Sequence, residues 1–234
     1  MIGGATRLVG LVGDPVAGSL SPRMQNAAFA ARGLDWAYVP LRVAAEDLET
    51  AVRGLVAAGF VGANVTIPHK LAVAKLCDEA DGDSVNTLVF QGGRILGFNT
   101  DREIVAGVRG SRVCLIGAGG AARALVPALP AHVRIFSRAS AWPPDASEAD
   151  VIVNATPVTD ELLVQPDAKH SVVDLAYRAD GRPTALIQAA REAGCQVVVD
   201  GREALVRQGA ASFEHWTGMR APVSVMRRVV GLPA

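Results

Sequence analysis

The chain has 234 residues, half of them apolar, which is enough to bury one large or two modest cores and excludes a disordered protein. Its 23 basic and 23 acidic side chains cancel, and no long run of one sign occurs. That balance excludes a nucleic-acid or acidic-lipid surface as the main partner and favours a small neutral or anionic ligand. No apolar run approaches the ~18 residues of a membrane span, and the opening residues through Gly13 read as a first strand rather than a secretory leader. Cys77, Cys114 and Cys195 stand far apart, with no Cys-x-x-Cys pair and no histidine at metal spacing. A reducing cytoplasm and no metal site are the expectation.

Strand-like runs at residues 8–12, 37–41, 62–67 and 87–90 alternate with helix-like runs at 22–32 and 45–58, a βαβαβ rhythm that predicts a largely parallel sheet. A second strand series runs through 112–116, 133–136, 151–154, 172–174 and 196–199. The predicted fold is therefore α/β with two domains, their boundary near 104–110. Residues 1–104 form an N-terminal α/β domain and residues 105–207 a Rossmann-like, doubly wound domain. A last helical pattern at 202–216 suggests that the C-terminal helices, 208–234, return to the first domain. The stretch 140–147, with Pro143 and Pro144, reads as the irregular one.

Gly117-Ala118-Gly119-Gly120-Ala121-Ala122 follows the strand at 112–116 and opens a helical run to Leu129, the context that a dinucleotide fingerprint requires. Gly117 permits the tight turn, Gly119 lets the backbone approach a pyrophosphate, and Ala122 takes the close-packing position. An ordinary glycine-rich turn is the alternative. The next strand ends in Ser137-Arg138, without the carboxylate that holds a ribose 2′-hydroxyl. A guanidinium there favours NADP over NAD, with a solvated loop arginine as the alternative.

Three clusters in the first domain are harder to explain as scaffold. Ser19 and Ser21 point to one side of an extended segment and could grip a carboxylate or hydroxyl, while Ser21 before Pro22 also suits a helix N-cap. Asn64 and Thr66 share a face at a strand's carboxyl end, and Pro68 is predicted to start a helix with Lys70 in its first turn. A cation there opposes the helix dipole, which makes Lys70 a candidate for proton transfer; His69 reads as packed or solvated. Asn86-Thr87 opens a strand, and Asn99-Thr100-Asp101 ends its hairpin partner. Thr100 with Glu103 matches a capping box. Asp101 has no such account, and charge balance pairs it with Lys70.

Taken in order, these motifs resemble shikimate dehydrogenase over nearly the whole chain: Gly13-Asp14-Pro15, Ser19-x-Ser21-Pro22, Asn64-x-Thr66-x-Pro68-x-Lys70, Val85-Asn86-Thr87, Asn99-Thr100-Asp101 and the glycine loop. Val153-Asn154-Ala155-Thr156-Pro157, Asp174-Leu175-x-Tyr177, and Asp200-Gly201 through Gln208-Gly209-Ala210 complete the series. The resemblance implies reversible, NADPH-dependent reduction of 3-dehydroshikimate to shikimate in the route to aromatic amino acids, with no metal. It implies Lys70 and Asp101 as the catalytic pair, and Ser19, Ser21, Asn64, Thr66, Asn86, Tyr177 and Gln208 as substrate contacts. Gly117, Ala118, Gly119, Gly120, Ala121, Ser137, Arg138, Asn154, Ala155 and Thr156 would hold the cofactor. The cysteine pattern points to the cytoplasm, and a monomer or homodimer is the expected state.

The chain also departs from that pattern. Only twelve residues separate Arg138 from Val151, where the family normally carries a further helix and strand, so the nucleotide domain has a trimmed edge. Ala139 stands where a threonine usually assists the 2′-phosphate, the segment 70–84 is short, and Arg102 replaces a glycine. A quinate/shikimate enzyme using NAD and a catalytically silent nucleotide-binding paralogue are the competing readings.

Overall fold

Two separate series of short apolar strands organise the chain into two compact units, one of Met1–Thr100 with Val206–Ala234 and one of Asp101–Leu205. The structure, a computed structural model, describes residues 2–130, 132–178 and 180–234. In chain order the first unit begins with β1 (Arg7–Gly13), α1 (Ser21–Ala31), β2 (Trp36–Arg42), α2 (Leu48–Ala57), β3 (Gly62–Val65), α3 (Lys70–Ala74), β4 (Glu79–Ala80), β5 (Thr87–Gln91) and β6 (Arg94–Phe98). The second unit holds β7 (Arg112–Ile116), α4 (Gly120–Leu125), β8 (His132–Phe136), β9 (Val151–Asn154), β10 (Ser171–Asp174), α5 (Ala185–Glu192) and β11 (Val197–Val199). Helix α6 (Gly201–Thr217) leads back into the first unit, followed by α7 (Val223–Val229).

In the first unit the sheet order is β2-β1-β3-β5-β6-β4. Strands β1, β2 and β3 are parallel, whereas the β5–β6 hairpin runs antiparallel to β3. Val12, Ala63, Val65 and Leu88 of the sheet pack with Val52 and Leu55 of α2. On α1, Phe29 stacks on Phe213 of α6 with ring centroids 5.5 Å apart. Trp216, one turn further along α6, donates its indole N–H to the Leu88 carbonyl at 2.9 Å. Gly62 makes that approach feasible: a Cβ there would lie 2.1 Å from the same carbonyl oxygen and 2.6 Å from the indole nitrogen.

The second sheet is wholly parallel, in the order β11-β10-β9-β7-β8. This is the doubly wound order with its outermost strand missing next to β8. Strand β8 is consequently an edge, and Ile135 on it is 44% exposed. On one face of the sheet, Ala146 and Ala149 of the connecting segment pack against Cys114, Phe136 and Ile152 where a helix would otherwise lie. A cavity of about 550 Å³ remains there, lined by Arg112, Cys114, His132, Arg134, Asp145 and Glu148 among others.

Several local expectations are corrected. Pro68 does not start a helix: its peptide bond with Ile67 is cis, and α3 begins at Lys70 and lasts five residues. The run after the glycine loop ends at Leu125 and tightens into a 3-10 turn, Val126–Ala128, because Pro127 lacks the N–H that would continue the helix. Irregular chain is not confined to 140–147; residues 155–170, 175–178 and 180–184 also form neither helix nor strand.

Gly62→Ala is expected to lower the stability of the first unit by about 1–3 kcal/mol or more, since the opposing atom is backbone and cannot swing away. Urea unfolding followed by tryptophan fluorescence checks this. An unchanged midpoint would show that the approach of α6 to β5 carries no strain at this position.

Candidate active site

Backbone hydrogen bonds collect the first unit's polar motifs at one end of its sheet. Thr66 N–H donates to Val12 O, Asp14 N–H to Ile67 O, Val65 N–H to Asn86 O and Val85 N–H to Lys70 O, all at 2.8 to 3.0 Å. Gly13, Thr66, Lys70, Asn86 and Thr100 thereby come to neighbouring positions at the carboxyl ends of β1, β3 and β6, where open α/β sheets bind ligands. Lys70 opens only one turn of helix, so its dipole contribution is much smaller than the sequence pattern implied. His69 is packed, with Nε2 2.8 Å from the Val43 carbonyl.

Helix α1 begins differently from the expectation. Leu20, not Ser21, is the N-cap residue, and Ser21 is the first helical residue and buried. Ser19 Oγ accepts the Ser21 N–H at 3.2 Å, so its lone pair supports the turn while its own hydrogen remains to donate outward. The capping box at Thr100 is also corrected. Thr100 opens a 3-10 turn, Thr100–Val105, and its hydroxyl donates to Asn86 Oδ1 at 3.0 Å, joined by its own N–H at 2.9 Å.

Asn64 is the hub of this end. Its Oδ1 accepts the Tyr38 hydroxyl at 2.8 Å, and its Nδ2 lies 3.0 to 3.1 Å from Asn86 O, Thr87 Oγ1 and Ser212 Oγ. Ser212 shares a further hydrogen bond of 2.8 Å with Thr87 and lies 3.2 Å from Thr100 Oγ1. Both amide hydrogens of Asn64 are therefore committed inside the protein. Burial holds the Tyr38 phenol far above its ordinary value, with a contact from Ser21 working weakly against that shift, so the hydroxyl is a neutral donor at any working pH. Tyr38 and Ser212 were not singled out from the sequence, although Ser212 sits one turn beyond Gln208 on α6 and accordingly on its face. Gln208 is half-buried, and its carbonyl accepts the Ser212 hydroxyl at 3.0 Å.

In the second unit the candidates again fall at strand carboxyl ends. Gly117 has φ +112°, and a Cβ on it would meet the Ala155 carbonyl at 3.1 Å, so the turn after β7 needs glycine. Nothing stands within 4 Å of a Cβ built on Gly119 or Gly120, which leaves room beside that backbone for a diphosphate. A pocket of about 260 Å³ adjoins the loop, lined by Gly117, Phe136, Ser137, Arg138, Trp142 and Thr156 among others. The Asn154 side chain does not reach outward: it is buried, accepts from Thr156 N–H and Oγ1 at 3.0 and 2.7 Å, and donates to Asp174 Oδ1 at 2.9 Å. Tyr177 is half-buried beyond β10, and Asp101, the first residue of this unit, is buried. Among the described residues no group of three or more His, Cys, Asp or Glu could hold a metal ion.

Burial pushes the Asp174 carboxyl up to about 6, against the pull of hydrogen bonds from Thr184, the Ala176 N–H and Asn154; nearby Asp200 adds to the rise. Between about pH 4 and 6 the folded protein keeps a proton that an unfolded aspartate has released. Stability therefore falls as pH rises through that window. Asp174→Asn, which preserves the shape of the cluster, is expected to remove this part of the slope. Urea midpoints at pH 4, 5, 6 and 7 check it, and parallel profiles for variant and wild type would refute it.

Residues 11–87 match the shikimate dehydrogenase substrate binding domain, and residues 201–230 match the shikimate 5′-dehydrogenase C-terminal domain. The chain is 42% identical to the shikimate dehydrogenase (NADP(+)) of Anaeromyxobacter dehalogenans, with 98% of each chain covered. It is 41% identical to that of Methanopyrus kandleri, covering 96% of this chain and 95% of the relative. The latter alignment spans 278 positions, more than the 234 residues available, so it opens gaps in this chain. The crystal structure of the Thermus thermophilus enzyme in complex with NADP(H) and shikimate superposes with a TM-score of 0.82 at 30% identity, covering 96% of this chain and 98% of that one. With relatives this similar over almost its full length, the chain belongs to the shikimate dehydrogenase family.

Proposed function

We propose that this protein catalyses the reversible, NADP-dependent interconversion of 3-dehydroshikimate and shikimate in aromatic amino acid biosynthesis. The observation that carries this reading is identity above 40% to NADP-dependent shikimate dehydrogenases across both units. The open space beside Gly119 and Gly120, and the adjoining pocket that Ser137 and Arg138 line, suit the cofactor named for those relatives. Gly117 through Ala121 would hold its diphosphate, with the short turn Ala155-Thr156 opposite, and Arg138 its 2′-phosphate. Bound there, NADPH supplies the hydride that reduces the ring carbonyl.

The chain's own residues then handle charge and protons. Lys70 stabilises negative charge on the ring oxygen, delivering its proton to that atom. Asp101 is the second member of the proposed catalytic pair, its carboxylate accepting a substrate hydroxyl. The hydroxyls of Ser19, Ser21 and Thr66 donate to the substrate carboxylate, while Asn86, Gln208 and Tyr177 meet the ring and its hydroxyls. Asn64 differs in kind: with both amide hydrogens committed, it positions Tyr38, Thr87 and Ser212 behind those contacts.

No helix among the described residues is long and apolar enough to cross a membrane. We infer a cytoplasmic enzyme working as a monomer or homodimer, in keeping with its three free cysteines.

Rates of nicotinamide reduction with shikimate or quinate and NADP or NAD test the function directly. Shikimate with NADP is expected to be fastest. A faster quinate or NAD reaction overturns the specificity, and no reaction with any pair supports a silent paralogue. Lys70→Ala is expected to lower kcat by roughly 10²- to 10⁴-fold with little change in KM. Near-normal turnover in that variant would remove Lys70 from the chemistry.

A further inference from the structure

The trimmed segment of the second unit does more than shorten it. Strand β8 runs out at Phe136, and the chain then closes a tight loop: Ser137 and Ala141 exchange two backbone hydrogen bonds of 3.1 Å, and the hydroxyls of Ser137 and Ser140 lie 2.8 Å apart. That closure delivers Trp142 to Arg138, whose guanidinium carbon sits 5.4 Å from the centroid of the indole ring. Both side chains line the 260 Å³ pocket beside the glycine loop. On another side, Glu161 places a carboxylate oxygen 3.9 Å from the same guanidinium, with both side chains largely open to solvent.

We propose that Trp142 and Glu161 together set the selectivity of this enzyme for a 2′-phosphate, acting through Arg138. The inference rests on the reading of Arg138 as the 2′-phosphate ligand and assigns two further residues to that task. A guanidinium held against an aromatic face by cation–π attraction loses less freedom when it binds an anion, and its planar fork of N–H donors stays available to it. Trp142 is accordingly a positioning residue, supplying from the shortened loop a support that the missing helix and strand do not. Glu161 works in the opposite sense. A phosphate dianion must displace it from Arg138 and also meets its charge, whereas an unphosphorylated ribose does neither. Selectivity is then a balance between the indole face and the carboxylate, and each partner moves it in a different direction.

Isothermal titration of the intact protein with adenosine 2′,5′-bisphosphate and with adenosine 5′-phosphate isolates this balance, because adenine stacking and general loosening affect both ligands alike. Trp142→Ala is expected to lower the affinity ratio of bisphosphate to monophosphate about two- to fivefold, the size of an exposed cation–π contact, and Trp142→Phe to recover much of it. Glu161→Gln is expected to raise the ratio by about two- to fivefold at low salt, with the gain shrinking as salt is added. If Arg138→Ala collapses the ratio while Trp142→Ala and Glu161→Gln leave it unmoved, the inference fails and the reading of Arg138 stands. If Arg138→Ala leaves the ratio unmoved, both fail.

Discussion

The amide of Asn64 is the contact on which the first unit's functional end depends. It lies at the carboxyl end of β3, between a phenol from β2, a hydroxyl from β5 and a hydroxyl from α6, and all of them are buried. Buried polar groups left without partners are costly, so a cluster of this kind tolerates few alternative registers. Thr87, Thr100 and Ser212 close the ring around it, and Asn86 takes three hydrogen bonds on its side-chain oxygen. The outcome is a fixed floor at the carboxyl ends of β1, β3 and β6. Thr66 and Lys70 follow β3 at that end, and Thr100 follows β6 there.

A smaller cluster does similar work in the second unit. Asn154 and Asp174 are register partners on β9 and β10, and Thr184 donates to the same aspartate at 2.5 Å. Their bonds hold the turn through Thr156 against Gly117. In both units an asparagine at a strand end commits its side-chain amide N–H groups to partners within the protein. Removing the strand beyond β8 leaves this centre intact, because β7 and β9, where the winding reverses, both remain interior strands.

Much of this was legible in the sequence. Strands β7 and β9 occupy the residues that their apolar runs mark out, and the two-sheet α/β class and the glycine loop follow from pattern alone. Boundaries moved where proline intervened: β3 stops short of Pro68, and α4 ends two residues before Pro127. What pattern could not reach is contact across long stretches of chain. Ser212 meets Asn64 across 148 residues, and Trp142 meets Arg138 only because a short loop folds back on itself. Neither residue belongs to a local motif, and each depends on how the backbone is closed.

Hydrogen exchange of Asn64→Ala tests the central claim, that one buried amide ties β3, β5 and the C-terminal helix into a single cooperative element. The account predicts protection falling together in β3, in β5 and in α6 around Gln208 to Trp216, with β7 to β11 unchanged. Loss confined to β3, with α6 still fully protected, would contradict it.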